Sequence, residues 1–187
     1  RPQVVPVHPV FHAPMARDID WHLIVLMDVS GSMSESVVYS ALTAAILAES
    51  PALDVDFLAF STEVLDFTGH VHDPLSLLLE VSVGGGTDIA SALRVARSRV
   101  RVPARTLLVL ISDFEEFGSD APLLAEVEAL ATSGVTLLGC AALNDTGTGV
   151  YNAGIAARVA GAGMRVAAVS PLDLARWVGA VVREGSR

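Results

Sequence analysis

Short apolar runs alternate with stretches of helical spacing from position 21 to the end of the chain. The run at 23–27 is continuously apolar, which is typical of a strand buried on both faces of a parallel sheet. The segment at 106–111 is the strongest strand signal in the chain. Further strands are predicted at 55–60, 64–67, 135–141 and 165–169. Helices are predicted at 37–48, 89–100, 123–132, 151–160 and 172–182, with a short helical turn at 75–79. This alternation predicts an α/β fold with a mainly parallel sheet and right-handed crossovers.

Two local features refine this arrangement. Only three residues separate the strand predicted at 55–60 from the next, so these two strands should form an antiparallel hairpin. Four prolines within the first 20 residues exclude a helix there. We expect residues 1–20 to form an extended proline-rich arm or linker and residues 21–187 to form one folded domain. Because the chain begins at Arg1, we also expect it to be a piece of a longer protein.

The composition argues against several classes of protein. The 187 residues include 12 basic and 21 acidic ones, a formal net charge of −9. This charge argues against nucleic acid or an anionic membrane surface as the main partner. No apolar run approaches the roughly 18 residues that a membrane helix requires. A lone cysteine, Cys140, allows no internal disulfide, which fits a reducing compartment.

Oxygen-bearing side chains follow three of the predicted elements. Asp28, Ser30 and Ser32 come after the first strand, Thr87 follows a run of glycines, and Asp113 comes after the strand at 106–111. In open α/β sheets, ligands bind at the carboxyl ends of the strands, where these residues should meet. Hard cations such as Mg²⁺ prefer oxygen ligands. The sequence therefore predicts a metal site at this edge of the sheet.

These segments resemble the metal-ion-dependent adhesion site (MIDAS) of von Willebrand factor A (VWA) domains. The similar segments are M-D-V-S-G-S-M at 27–33, G-G-T-D at 85–88 and I-S-D at 111–113. The resemblance implies that Ser30, Ser32 and Thr87 bind Mg²⁺, or Mn²⁺ or Ca²⁺ in its place. It implies that Asp28 and Asp113 act directly or through water. It also implies a doubly wound, Rossmann-like sheet of six strands in the order 3-2-1-4-5-6, with strand three antiparallel and helices on both faces.

Three further segments narrow the resemblance to one kind of VWA domain. The segments at 84–89, 111–116 and 174–179 are similar to those of bacterial intracellular, CoxE-like members. Such members are often encoded beside MoxR-type AAA+ ATPases. The resemblance implies a cytoplasmic, non-enzymatic adaptor or co-factor of such an ATPase. An Asp or Glu side chain of the protein partner would complete the coordination of the metal.

Two other functions remain open on the sequence alone. A Mg²⁺-dependent phosphatase or phosphotransferase would use Asp28 as its nucleophile. Such enzymes typically carry a second Asp two residues later, where this chain has Ser30, and a Lys, which this chain lacks. A structural scaffold with an empty site is the other alternative. Each motif alone also has a simpler explanation, since Asp, Ser and Thr are common in turns and helix caps.

Other residues receive structural interpretations. The arginines between 94 and 105 should form a solvated face that balances nearby acidic residues, with a docking patch as the alternative. Glu126 and Glu128 should point outward from their helix, and Cys140 should be inert core. In the last helix, a buried stripe is predicted from Leu172, Leu174, Trp177, Val178 and Val181.

Overall fold

The computed structural model describes residues 21–33, 53–70, 85–141 and 151–185. Its six strands are β1 (Trp21–Asp28), β2 (Leu53–Phe60), β3 (Val64–Asp66), β4 (Thr106–Ser112), β5 (Thr136–Ala141) and β6 (Arg165–Ala167). Its four described helices are α1 (Ile89–Arg99), α2 (Ala121–Ser133), α3 (Ala153–Gly161) and α4 (Pro171–Gly185). Short 3-10 turns occupy Gly31–Met33, Thr68–His70 and Pro103–Arg105. The arm, helix and turn predicted at 1–20, 37–48 and 75–79 lie outside the described residues.

The six strands form one sheet in the order β3-β2-β1-β4-β5-β6. The central strand β1 pairs in parallel with both β2 and β4, and β5 and β6 continue the parallel sheet. Only β3 is antiparallel, joined to β2 by a tight hairpin in which Phe60 faces Val64. The predicted fold class, strand order and hairpin are therefore confirmed. The strand order reverses between β1 and β4, so a crevice is expected at their carboxyl ends.

Both faces of the sheet are covered by apolar side chains. Along β1, Leu23, Val25 and Met27 point into a layer that includes the inner face of α4. The alternate residues Ile24 and Leu26 point into the layer formed with α1, α2 and α3. Because all five side chains are fully buried, β1 reads as a continuous apolar run rather than as an alternating one. Burial of each such side chain contributes about 1.5–3 kcal/mol, which anchors β1 firmly beneath the loop that follows it.

The last helix differs from its prediction at one end. Leu174, Val178 and Val181 are buried against the sheet as predicted, and Trp177 is partly buried. Leu172 is 56% exposed, so its assignment to the buried stripe is wrong. It lies in the first turn of α4, one residue before the exposed Asp173.

No helix in the described ranges is both long and apolar enough to cross a bilayer.

At least four of the five arginines between 94 and 105 pair with acidic residues, as predicted. Arg99 pairs with Asp66 on β3, and Arg101 pairs with Asp54 on β2. Arg94 and Arg97 instead share Glu126 of α2, at 3.3 and 3.2 Å. The side chain of Glu126 is therefore largely buried between two helices, at 12% exposure, and its predicted outward orientation is wrong. Glu126 faces inward because it pairs with two arginines of α1. Helical spacing within α2 cannot predict these contacts with another helix.

Candidate metal centre

Asp28 lies at the carboxyl end of β1 and is completely buried. One carboxylate oxygen, Oδ1, accepts a hydrogen bond of 2.9 Å from the backbone N–H of Ser30. The other, Oδ2, accepts a hydrogen bond of 2.6 Å from the hydroxyl of Ser112. The parallel register explains the second contact, because Met27 lies opposite Ile111 and the next residues on both strands are then neighbours. Asp28 thus ties the ends of β1 and β4 together.

The first loop brings two hydroxyl groups together above Asp28. The Oγ atoms of Ser30 and Ser32 lie 3.2 Å apart, Ser30 buried and Ser32 exposed. In octahedral Mg²⁺ sites the oxygens lie about 2.1 Å from the metal, so neighbouring ligands are about 3.0 Å apart. The spacing of the two serine hydroxyls therefore fits adjacent positions around such an ion.

The second loop, which carries Thr87, is held in place from two sides. The N–H of Gly31 donates to the carbonyl of Gly85 at 3.4 Å, which joins the first loop to the second. The N–H of Asp88 donates to the carbonyl of Ser61 after β2, at 2.9 Å. Gly85 has a φ of 83°, a left-handed conformation that favours glycine at this position. Thr87 is buried. The backbone hydrogen bonds of Gly85 and Asp88, on either side of it, hold it beside the first loop.

The third loop carries Asp113 and is also fastened to its neighbours. Asp113 is buried, and its Oδ1 accepts a 3.0 Å hydrogen bond from the N–H of Glu115. Its backbone carbonyl accepts a 2.7 Å hydrogen bond from the N–H of Asn152, the residue that caps α3. The N–H of Phe117 donates to the carbonyl of Thr87 at 3.1 Å, so the third loop is joined to the second.

Phe114 adopts a backbone conformation that non-glycine residues rarely use, with a φ of 59°. Its ring is fully buried and lies against Gly139 of β5, where an added Cβ would approach the ring to 3.0 Å. Burial of the ring offsets the strain of the left-handed backbone. This arrangement turns the chain sharply after Asp113 and keeps that carboxylate at the edge of the sheet.

Negative charge is concentrated at this edge. Burial raises the pKa of Asp28 to about 6, and the nearby Asp113 carboxylate acts in the same direction, although hydrogen bonds from Ser112 and Ser30 oppose it. Burial also raises the pKa of Glu116 to about 6, with Asp88 and Asp28 adding repulsion. A buried carboxylate of this kind is expensive to ionise without a nearby cation. The edge is therefore electrostatically suited to a positive ion.

The structure brings all five predicted metal ligands, Asp28, Ser30, Ser32, Thr87 and Asp113, to one edge through these linked loops. Within the described ranges, no group of three or more His, Cys, Asp or Glu side chains has a geometry that could hold a metal. Three of the five predicted ligands are hydroxyls, so any site here depends on hard, mostly neutral oxygen atoms. This is a donor set for Mg²⁺ or Mn²⁺ rather than for a soft transition metal.

The supporting contacts of two residues at this edge were not predicted from the sequence. Ser112 supports Asp28, and the strand register would have revealed it, since both residues end neighbouring parallel strands. The carboxylate of Glu116 accepts a 2.7 Å hydrogen bond from the N–H of Ile89 and so caps α1 from the third loop. No spacing rule points to this contact, because 27 residues separate the partners.

Cys140 is buried as predicted, and burial raises the pKa of its thiol to about 11, so it is inert.

The chain matches a known protein family. A family model described as "VWA domain containing CoxE-like protein" matches residues 2–178. The Escherichia coli K12 protein YehP, described as uncharacterized, is 40% identical over 171 residues, which cover 91% of this chain and 45% of YehP. The chain thus spans about half the length of this curated relative.

Solved structures share the fold at low sequence identity. An aerotolerance-related membrane protein from Bacteroides fragilis aligns over 88% of this chain and 99% of its own, with a TM-score of 0.68 and 13% identity. The manganese-loaded TRAP protein of Plasmodium vivax aligns over 87% of this chain and 73% of its own, with a TM-score of 0.67 and 14% identity. At these identities the likeness establishes the fold alone.

Proposed function

This chain belongs to the family of VWA domain containing CoxE-like proteins, and from that premise we propose that it is a metal-dependent protein-binding module. In this proposal Mg²⁺ is held by Ser30, Ser32, Thr87, Asp28 and Asp113. An Asp or Glu side chain of a protein partner completes the coordination. The single observation that carries the proposal is the pair of serine hydroxyls, 3.2 Å apart, next to the fully buried carboxylate of Asp28.

Charge explains why such a site would attract an acidic partner. Three of the proposed ligands are neutral hydroxyls, so they leave much of the charge of the cation in place. The Asp28 carboxylate is engaged by two hydrogen bonds, to Ser30 and Ser112, which favours an indirect role through water. A carboxylate that arrives in a partly dry interface is then strongly attracted. Metal binding and partner binding should each strengthen the other.

The environment of Asp28 supports a binding role over a catalytic one. A phosphatase nucleophile must present a free carboxylate oxygen to its substrate. In this structure both oxygens of Asp28 accept hydrogen bonds and the side chain has no exposed surface. These contacts favour the non-enzymatic module over the phosphotransferase alternative.

We extend the proposal to the cellular partner. The resemblance to CoxE-like domains, which are often encoded beside MoxR-type AAA+ ATPases, supports a cytoplasmic adaptor or co-factor of such an ATPase. The carboxylate that completes the metal would then lie on the ATPase or on a protein that the ATPase remodels. A purified MoxR-type ATPase from the same genome should bind this chain in Mg²⁺ and be released by a chelator. Binding that is unchanged by the chelator would contradict this extension.

Calorimetric titration with Mn²⁺ tests the metal site itself. The wild-type chain should bind one ion, and Ser32→Ala should weaken binding at least about tenfold, the loss of one ligand being worth more than 1.4 kcal/mol. Ser32 is exposed, so this substitution leaves the core intact. Ser98→Ala is the matched control, because Ser98 is an exposed serine of α1 whose hydroxyl donates to the carbonyl of Val95. Equal affinities for the two variants would contradict the proposed ligand set.

A further inference from the structure

A cleft of about 410 Å³ opens directly beside the proposed metal ligand Thr87. Its walls come from the start of α1, the third loop and the start of α2, and include Asp88, Glu116, Phe117 and Pro122. Because Thr87 belongs to both the metal centre and the cleft, a segment bound at the metal would continue into the cleft without a gap.

Phe117 is the most exposed large apolar residue among those described, at 86%. Its backbone is nevertheless fixed, because its N–H donates to the carbonyl of Thr87 at 3.1 Å. The preceding residue, Glu116, is held against the first turn of α1 by its 2.7 Å hydrogen bond from Ile89. The ring therefore stands in water on a firmly anchored turn. An aromatic ring held in this way can bind a partner without a large loss of conformational entropy.

The charges around the ring are predominantly negative. Asp88 and Glu116 both lie in the cleft, where each accepts a hydrogen bond from a backbone N–H of α1. The one described arginine in the cleft wall is Arg94, and its guanidinium is paired with Glu126 of α2 at 3.3 Å. Two carboxylates and one paired arginine leave the cleft attractive to a cation.

We infer that this cleft, defined by Phe117, Glu116 and Asp88, binds an arginine side chain of the same partner whose carboxylate reaches the metal. The inference rests on the proposed function and adds a second contact to it. An arginine is amphipathic: its aliphatic stem can pack along Pro122 and the ring of Phe117. Its guanidinium can stack on that ring and reach the carboxylates. The partner thus presents an acidic and a basic group side by side.

Selection from a displayed peptide library provides the probe for this inference. The library carries one fixed Asp with randomised neighbours and is selected on the full chain in Mg²⁺. Arginine should be enriched at a fixed distance from the Asp, and a chelator should release the selected peptide. Selection without an enriched arginine overturns the inference while leaving the metal-binding proposal intact. Failure to obtain any Mg²⁺-dependent peptide overturns both.

A double-mutant cycle on the selected peptide locates the arginine. In the wild-type chain, exchange of the peptide arginine for alanine should weaken binding about five- to tenfold, the range of a cation–π contact aided by charge. In Phe117→Ala the same exchange should have little effect, and Glu116→Gln, which keeps an oxygen to cap α1, should show a reduced effect. Val102→Ser is the matched control, because Val102 is 54% exposed and lies after the C-terminal end of α1.

The outcomes separate the two proposals. An arginine effect of equal size in wild type and Phe117→Ala overturns the inference, because the arginine would then bind elsewhere. Mn²⁺ affinity should be the same in Phe117→Ala and wild type, which shows that the metal centre is intact in the variant. If Thr87→Ala and the chelator both leave peptide binding unchanged, the metal-centred function fails and the inference fails with it.

Discussion

Replacement of Asp28 with asparagine separates the stability of the fold from its affinity for metal. The substitution keeps the shape of the side chain and removes its charge. The asparagine oxygen can still accept from the N–H of Ser30, and its amide can donate to the hydroxyl of Ser112, which reverses the direction of the wild-type bond. The variant should therefore fold with the same groups in contact, although the hydroxyl hydrogen of Ser112 loses its acceptor, because the Ser112 oxygen then accepts from both the new amide and the N–H of Phe114.

The magnitude follows from the buried carboxylate. Burial raises the pKa of Asp28 from 3.8 to about 6, so the folded state binds the proton more tightly than the unfolded state does. This stabilising effect is fully present below pH 3.8 and is lost as the pH rises through about 6. The difference corresponds to about 3 kcal/mol, at 1.36 kcal/mol per pKa unit. Without metal at pH 8, Asp28→Asn should be more stable than wild type by up to about 3 kcal/mol.

Urea denaturation in a chelator, at pH 8 and pH 5, measures this difference. Between these two values the advantage of the variant should shrink by about 1.4 kcal/mol, because the wild-type carboxylate becomes protonated. Saturating Mn²⁺ at 100 times its dissociation constant should then stabilise wild type by about 2.7 kcal/mol and the variant much less. A variant that is less stable than wild type at pH 8 without metal would show that ionisation of the buried Asp28 carboxylate does not destabilise the fold.

Three further outcomes are expected. Gly139→Ala should destabilise the fold by about 1–3 kcal/mol in thermal melts, because the added Cβ would lie 3.0 Å from Phe114 and Met164. An unchanged melting temperature would show that the ring of Phe114 is loosely packed. Glu126→Gln should lower the free energy of unfolding, measured in urea, by less than about 1 kcal/mol, because both arginine partners are about half exposed. A larger loss would mean that the ion pairs are effectively buried. Mn²⁺ affinity measured by calorimetry should be constant above about pH 7 and fall below about pH 6, because Asp28 takes up a proton. An affinity that does not change down to pH 5 would exclude Asp28 from the site.

The fold was predictable because its central strands are buried on both faces. The continuous apolar runs of β1 and β4 leave no ambiguity about their location, and the three-residue connection after β2 dictates the antiparallel β3. At the edge of the sheet the prediction is weaker. The last strand ends at Ala167 rather than at 169, because only three residues pair with β5. A strand ends where its pairing with the neighbouring strand ends, and the local sequence does not show where that is.

At the candidate site, the loop residues could be proposed from the sequence, whereas the groups that support them could not. Asp28, Ser30 and Ser32 form a compact local motif, and its resemblance to the MIDAS loops is what singles them out as proposed ligands. Ser112 and Glu116 act on residues 84 and 27 positions away, and only the folded sheet brings these partners together. The exposure of Phe117 and the left-handed backbone of Phe114 also follow from tertiary packing. Loop motifs identify the proposed ligands, whereas the structure identifies the groups that position them.

Anomalous diffraction from a crystal of the full chain grown with Mn²⁺ would locate the proposed ion. We expect one strong peak at the carboxyl ends of β1 and β4. The hydroxyl oxygens of Ser30, Ser32 and Thr87 should lie within about 2.0–2.6 Å of it, the range of hard-cation contacts to oxygen. A fully occupied peak elsewhere, or no peak at this edge in saturating Mn²⁺, would contradict the proposed metal site.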